Sequence, residues 1–151
     1  MSAPPPPPAV VTPAQLPADA AAYVVEAPLL FHASLSNVLK RASGNGVPVT
    51  LVTTRNGLMQ GNALLLSVAA QVSTTTYVTG FVGRTQGSVQ VLSKGVLKSY
   101  VLDGAALRPA SPGALNSFNA WLDRYMRAHQ PVSPVSALQN WLWENRRIRT
   151  F

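Results

Sequence analysis

Apolar side chains recur at a helical spacing near the first third of the chain. Leu35, Val38, Leu39 and Ala42 fall at i, i+3, i+4 and i+7, which places them on one face of an α-helix. The spacing predicts an amphipathic helix over residues 34–42, with about two to three turns. Residues 44–46, Gly-Asn-Gly, are typical of a helix stop.

The pattern then changes to β-branched runs separated by turn residues. The runs cover residues 47–54, 58–68, 74–82, 88–92 and 96–101. Asn56-Gly57 between the first two runs and Ser93-Lys94-Gly95 between the last two are typical of tight hairpins. This part of the sequence predicts five short antiparallel strands that close into a small barrel.

Two helix start signals follow the predicted barrel. Ser111-Pro112 supplies an N-cap and a first-turn proline, and Ser133-Pro134 repeats them after Pro131. The sequence therefore predicts a C-terminal helical hairpin, while the Pro- and Ala-rich N-terminus predicts an extended arm. The expected fold is mainly β with flanking helices (α+β): a flexible arm at 1–28, a barrel domain with its N-terminal helix at 29–110, and the hairpin with a basic tail at 111–151.

The charge of the chain is unevenly distributed. There are 12 Lys and Arg against 5 Asp and Glu, although only 11% of residues are charged. Seven of the basic residues lie in residues 27–112, where Asp103 is the single acid. A basic surplus favours polyanionic partners such as nucleic acid, and it also serves solubility alone.

The sequence lacks the residue sets that most enzymes use. It has no cysteine, which excludes a thiolate metal site and a Cys nucleophile, and no two of its five carboxylates lie within four residues of each other. His32 and His129 have no carboxylate nearby at metal-ligand spacing. We therefore expect a protein that is not an enzyme, with no catalytic residues, cofactor or metal.

Four short stretches, read in order, resemble the Sm-like family, in particular its bacterial Hfq branch. They are Leu35-Ser36-Asn37-Val38-Leu39-Lys40-Arg41, Val47-Pro48-Val49-Thr50, Asn56-Gly57 and Met59-Gln60-Gly61. The resemblance covers roughly residues 31–66. The family's Tyr-Lys-His signature is missing, since Val91-Leu92-Ser93-Lys94-Gly95 stands in its place, and only Lys94 could carry over.

The resemblance implies a non-catalytic, RNA-binding ring protein, such as a post-transcriptional regulator or an RNA chaperone. The candidate RNA-binding residues are Lys40, Arg41, Arg55, Arg84, Lys94 and Lys98. The family resemblance puts Lys40 and Arg41 at the rim of the ring, where adjacent cations contact phosphates. A helix C-terminus also favours such cations through its dipole alone. Open strand edges would join the subunits into a homo-oligomer.

Two other functions fit parts of the sequence. The first is a structural component of a large assembly, such as a virion or tail-like particle, with the arm and the hairpin docking onto other subunits. The second is DNA binding through Arg146-Arg147-Ile148-Arg149. The mainly apolar run at residues 63–70 is too short to span a bilayer, so we expect a cytoplasmic protein, or alternatively a virion protein, without a membrane partner.

Overall fold

Six strands form one open mixed sheet. The computed structural model describes residues 10–27, 31–59, 63–80 and 87–133. The strands are β1 (Ala22–Ala27), β2 (Val49–Thr54), β3 (Thr74–Thr79), β4 (Ser88–Ser93), β5 (Val96–Asp103) and β6 (Ala106–Ala110). Their order across the sheet is β3-β2-β1-β4-β5-β6, so β1 lies near the middle.

The first half of the sheet is parallel because helices connect its strands. Helix α1 (Ala33–Gly44) lies between β1 and β2, and helices α2 (Arg55–Met59) and α3 (Ala63–Ala69) lie between β2 and β3. A helical crossover returns the chain to the edge from which the previous strand started, so the next strand runs in the same direction. We call the edge where β1, β2 and β3 begin the amino edge.

The second half is an antiparallel meander. β4 pairs with the other side of β1, with Tyr23 opposite Val91, and its end therefore lies at the amino edge. Lys94 and Gly95 join β4 to β5 with φ angles of 53° and 75°, and positive φ at both positions is what a two-residue hairpin turn of type I′ requires. β5 then pairs with β6, with Leu102 opposite Leu107.

The two faces of the sheet are covered by different helices. On one face, which we call the α1 face, α1 and α3 pack on buried side chains that include Val25, Leu51 and Val89. On the other, the α4 face, Phe118 and Leu122 of helix α4 (Asn116–Ala128) pack against Val52. The sheet is thus the middle layer of three.

The predicted barrel is wrong. The described residues form an open six-stranded mixed sheet instead of a closed five-stranded antiparallel barrel. The predicted entry helix, the first and the third to fifth strands, the turn at Lys94-Gly95 and the first C-terminal helix are confirmed. The second helix of the predicted hairpin lies outside the described residues.

The error arises at the second predicted strand. Asn56-Gly57 is inside α2, where the Thr54 hydroxyl accepts a hydrogen bond from the Gly57 amide at 3.0 Å, as an N-cap does. Residues 63–69 are helical, and Leu65, Leu66, Val68 and Ala69 are buried. An apolar run of this length is compatible with a buried helix as well as a strand, and the helix makes β2 and β3 parallel.

The N-terminal segment also differs from the expected flexible arm. Ala22–Ala27 forms β1, which pairs with both β2 and β4. The alternation in this strand is hard to recognise because β1 is covered on both faces, so that Tyr23, Val25, Glu26 and Ala27 are all buried. The division of the chain into three domains otherwise stays a prediction.

Both outer strands receive one residue from elsewhere in the chain. Val11 pairs with Leu107 of β6, and Val132 pairs with Thr76 of β3. These contacts cover part of each edge, and the predicted edge-to-edge homo-oligomer stays a prediction. Among the described residues, every helix is too short or too polar to cross a membrane.

Candidate ligand-binding groove

One wall of the groove is the segment that precedes β1. Thr12 caps a 3₁₀ turn at Pro13–Gln15 through a capping box, in which the Gln15 side-chain carbonyl accepts from the Thr12 amide at 2.8 Å. The Tyr23 hydroxyl donates to the Pro17 carbonyl, and the Ala21 amide donates to the Leu92 carbonyl at 2.8 Å. These bonds hold residues 13–21 over the α1 face.

The opposite wall is the β4–β5 hairpin. Lys98 lies opposite Val91 in the pairing of the two strands, on the same face as Tyr100. Lys94 occupies the left-handed position of the turn, next to Ser93. Lys94 and Lys98 are exposed, whereas Tyr100 is buried. The hairpin thus carries two ammonium groups toward the N-terminal segment.

Between the two walls is a groove of about 360 Å³. It is lined by Gln15, Pro17, Asp19, Val91, Ser93, Lys94, Val96, Lys98 and Tyr100. The volume is in the lower part of the range of small-molecule sites. The lining combines two cations and one carboxylate with an amide, a hydroxyl and a phenol, so it can bind an anion on one side and a hydrogen-bond donor on the other.

Tyr23 lies under this groove and has a perturbed acidity. Burial raises its pKa from 10.0 to about 12, and the Asp19 carboxylate and Tyr100 add to the rise. Only 1% of its surface is exposed, which agrees with burial as the main cause. The phenol therefore stays neutral and keeps donating to Pro17 at physiological pH.

The structure brings together two of the residues predicted from sequence. Lys94 and Lys98 line the groove. Lys40 and Arg41 lie in the last turns of α1, half-buried and exposed respectively, outside the groove. Arg55 is exposed at the start of α2, at the opposite edge of the sheet, and Arg84 lies outside the described residues. Of the five described candidates, two therefore line the groove, and Arg55 lies apart from the other four.

Sequence reasoning missed the acidic wall of the groove. Asp19 and Gln15 fell in the segment taken as an extended arm, although Thr12-Pro13-Ala14-Gln15 contains the capping-box pattern with proline at the first helical position. That pattern marks local structure. It could have shown that residues 12–15 form a local turn.

A buried carboxylate lies on the α4 face of the sheet. Glu26 is 0% exposed, and its Oε1 accepts a hydrogen bond at 3.2 Å from the hydroxyl of Ser88, which is 62 residues away in sequence. Gln90 and Asn119 exchange two amide hydrogen bonds nearby, at 2.8 and 3.1 Å. Sequence spacing alone therefore did not exclude polar clusters, because β1 and β4 bring distant residues together.

Comparison with known proteins found a distant similarity to a solved structure. No protein-family model matches the chain, and no curated protein matches it. The chain is similar to the crystal structure of polyphosphate kinase from Porphyromonas gingivalis, with 12% sequence identity and a TM-score of 0.49. The similarity covers 83% of this chain and 24% of the kinase. At this level of similarity, no activity is transferred to this chain.

These findings correct three predictions. The open mixed sheet and the absence of a family match contradict the Sm-like, Hfq-like assignment. The RNA-binding ring and its alternative, the virion or tail component, lose their support with that fold. The prediction that the chain is not an enzyme is withdrawn as well, because it was based on the sequence spacing of polar residues, and β1 and β4 bring distant polar residues together. The RNA-binding residues and the cytoplasmic location stay predictions.

Proposed function

We propose that the groove binds a small hydroxylated anion, such as a phosphate ester of a polyol. The observation that carries the proposal is the placement of Lys94 and Lys98 on the hairpin wall and Asp19 on the other wall of one 360 Å³ groove. The lysines neutralise the anionic group of the ligand. The carboxylate accepts hydrogen bonds from its hydroxyl groups.

Two further features of the groove support a polar ligand of this class. The side-chain carbonyl of Gln15 already accepts from Thr12, so its amide NH₂ group is the part of that side chain available to donate to a ligand. The aliphatic surface of Pro17 and Val96 completes the lining and can contact the carbon skeleton. The groove therefore offers both anion recognition and hydroxyl recognition.

The test is calorimetric titration of the full chain with glycerol phosphate, glucose 6-phosphate, inorganic phosphate and glucose. We expect binding of the two phosphate esters and no measurable binding of glucose, because only the anion engages the lysines. Lys98→Met keeps the aliphatic stem and removes the charge. It should weaken the ester about fivefold, the effect of about 1 kcal/mol for an exposed ion pair.

Lys40→Met is the matched control, since Lys40 lies on α1 outside the groove. It should leave the affinity unchanged. Asp19→Asn tests the two walls separately, because it removes the negative charge and replaces one of the two acceptor oxygens by a donor NH₂ group. Ester binding should fall, while binding of inorganic phosphate should hold or rise. If both lysine variants weaken binding equally, or if no probe binds, the proposal is wrong.

A further inference from the structure

Four aliphatic side chains are exposed at the amino edge of the sheet. Val72 precedes β3 and is 96% exposed, and the β4–β5 hairpin exposes Leu92, Val96 and Leu97 at 39%, 54% and 40%. Leu92 and Leu97 are opposite each other in the strand pairing, so they form one apolar patch on the α4 face. Apolar side chains grouped in this way indicate an interaction surface.

Cations lie at the same edge. Helix α1 ends there with Lys40 and Arg41 in its last turns, and the hairpin carries Lys94 and Lys98. Among the described residues at this edge, Asp19 is the carboxylate that opposes them. The edge is therefore cationic as well as apolar.

The sheet order fixes how these groups are spaced. The Val49 amide donates to the Ser73 carbonyl at 3.0 Å, which places Val72 at the β3 end of the edge. Between β3 and the hairpin lie only β2 and β1, a span of about 15 Å at the usual strand spacing. Asn45, just after α1, donates to the Ala18 carbonyl at 3.4 Å, so the end of α1 is held between the two aliphatic groups.

We propose that the amino edge binds the surface of an anionic lipid bilayer. The aliphatic side chains enter the headgroup region at two points, and the cations contact anionic headgroups. The cations are complementary in charge to such a surface. The prediction of no membrane partner considered only segments that could span a bilayer. This inference does not depend on the groove ligand.

The test is flotation of the full chain with vesicles of phosphatidylcholine, with and without phosphatidylserine. We expect binding only to the anionic vesicles, with a steep loss as salt is added. The double variant Leu92→Ser, Leu97→Ser should weaken binding about tenfold, because the patch can no longer bury aliphatic surface. Met126→Ser is the matched control: Met126 is also 39% exposed but lies on α4.

The charge contribution is tested separately. Arg41→Gln should weaken vesicle binding about fivefold, the effect of one cation near an anionic membrane, and Arg124→Gln on α4 is its control. Equal binding to neutral and anionic vesicles, no binding to either, or equal effects of test and control variants would each overturn the proposal. So would a dimer of the 16.0 kDa chain that the Leu92, Leu97 double variant abolishes, because a second copy would then cover the patch.

The two proposals share Lys94 and Lys98, but different ligands test them. Phosphate esters test the groove and do not require the exposed leucines, whereas vesicles test the edge. Binding of esters without binding of vesicles would support the groove proposal and contradict the membrane proposal. Binding of vesicles without binding of esters would support the membrane proposal and contradict the groove proposal.

Discussion

Replacement of Tyr23 by phenylalanine should change how the stability of the protein depends on alkaline pH. Burial raises the pKa of Tyr23 from 10.0 to about 12, so between these values the folded state holds a proton that the unfolded state releases. Stability is therefore complete below pH 10.0 and falls as the pH rises through about 12. The full loss is about 3 kcal/mol, at 1.36 kcal/mol per pKa unit.

Tyr23→Phe removes both the titrating group and the hydrogen bond to Pro17. At neutral pH the variant should be less stable by about 1 kcal/mol, the typical net value of such a bond. The variant has no tyrosine at position 23 to titrate, so it does not lose this part of its stability at alkaline pH. The free energies of unfolding of the two proteins should therefore cross within the interval from pH 10.0 to about 12.

The measurement is urea unfolding of both proteins at a series of pH values, with the free energy of unfolding extrapolated to water. Asp19→Asn is a second check: without the nearby carboxylate the pKa of Tyr23 is lower, so the loss still begins near pH 10.0 but is smaller and is complete at a lower pH. If wild type and Tyr23→Phe lose stability in parallel across the interval, the argument from burial is refuted.

Three further predictions concern packing and backbone, each measured by urea unfolding. Gln90→Leu alone should destabilise the fold by about 1–3 kcal/mol, because it leaves the Asn119 amide without its partner. Adding Asn119→Leu should recover part of that loss. If the effects of the two substitutions on the free energy of unfolding simply add, the pairing is contradicted. Leu51→Ala, at a 0% exposed site, should cost about 2–5 kcal/mol, far more than Val72→Ala in solvent. Gly95→Val should destabilise the fold because Gly95 has φ +75°. Gly44→Val is the control, since Gly44 lacks a positive φ and has no atom within 4 Å of an added Cβ. Equal losses of unfolding free energy in the two variants would contradict the strain assigned to the turn.

Local patterns predicted the elements whose residues pack on one side. Helix α1 and the hairpin turn at Lys94-Gly95 follow directly from periodicity and turn chemistry. The strand order does not follow from them, because β1 is covered on both faces and α3 has the apolar composition of a strand. Because β1 was predicted as part of an arm and α3 as part of a strand, the two parallel pairings of β2 were missed and an antiparallel barrel was predicted instead.

The groove was predictable only in part. Lys94 and Lys98 were recognised as cations on strands, but their relation to Asp19 requires the chain to fold back over β4 and β5 before β1 begins. That return is fixed by tertiary hydrogen bonds from Tyr23 and Ala21. Tertiary bonds of this kind leave no periodic pattern in the sequence.

The central place of β1 also has a consequence for folding during synthesis. β1 emerges from the ribosome early, but Ser88, which bonds to Glu26, follows 62 residues later. At a synthesis rate of about 5–20 residues per second, β4 is made roughly 3 to 12 s after β1, so the edge of β1 that pairs with β4 is unpaired during that time. During this time β1 can pair with β2, and its other edge is open to any extended segment nearby. The nascent chain is therefore most exposed to mispairing before the meander is complete.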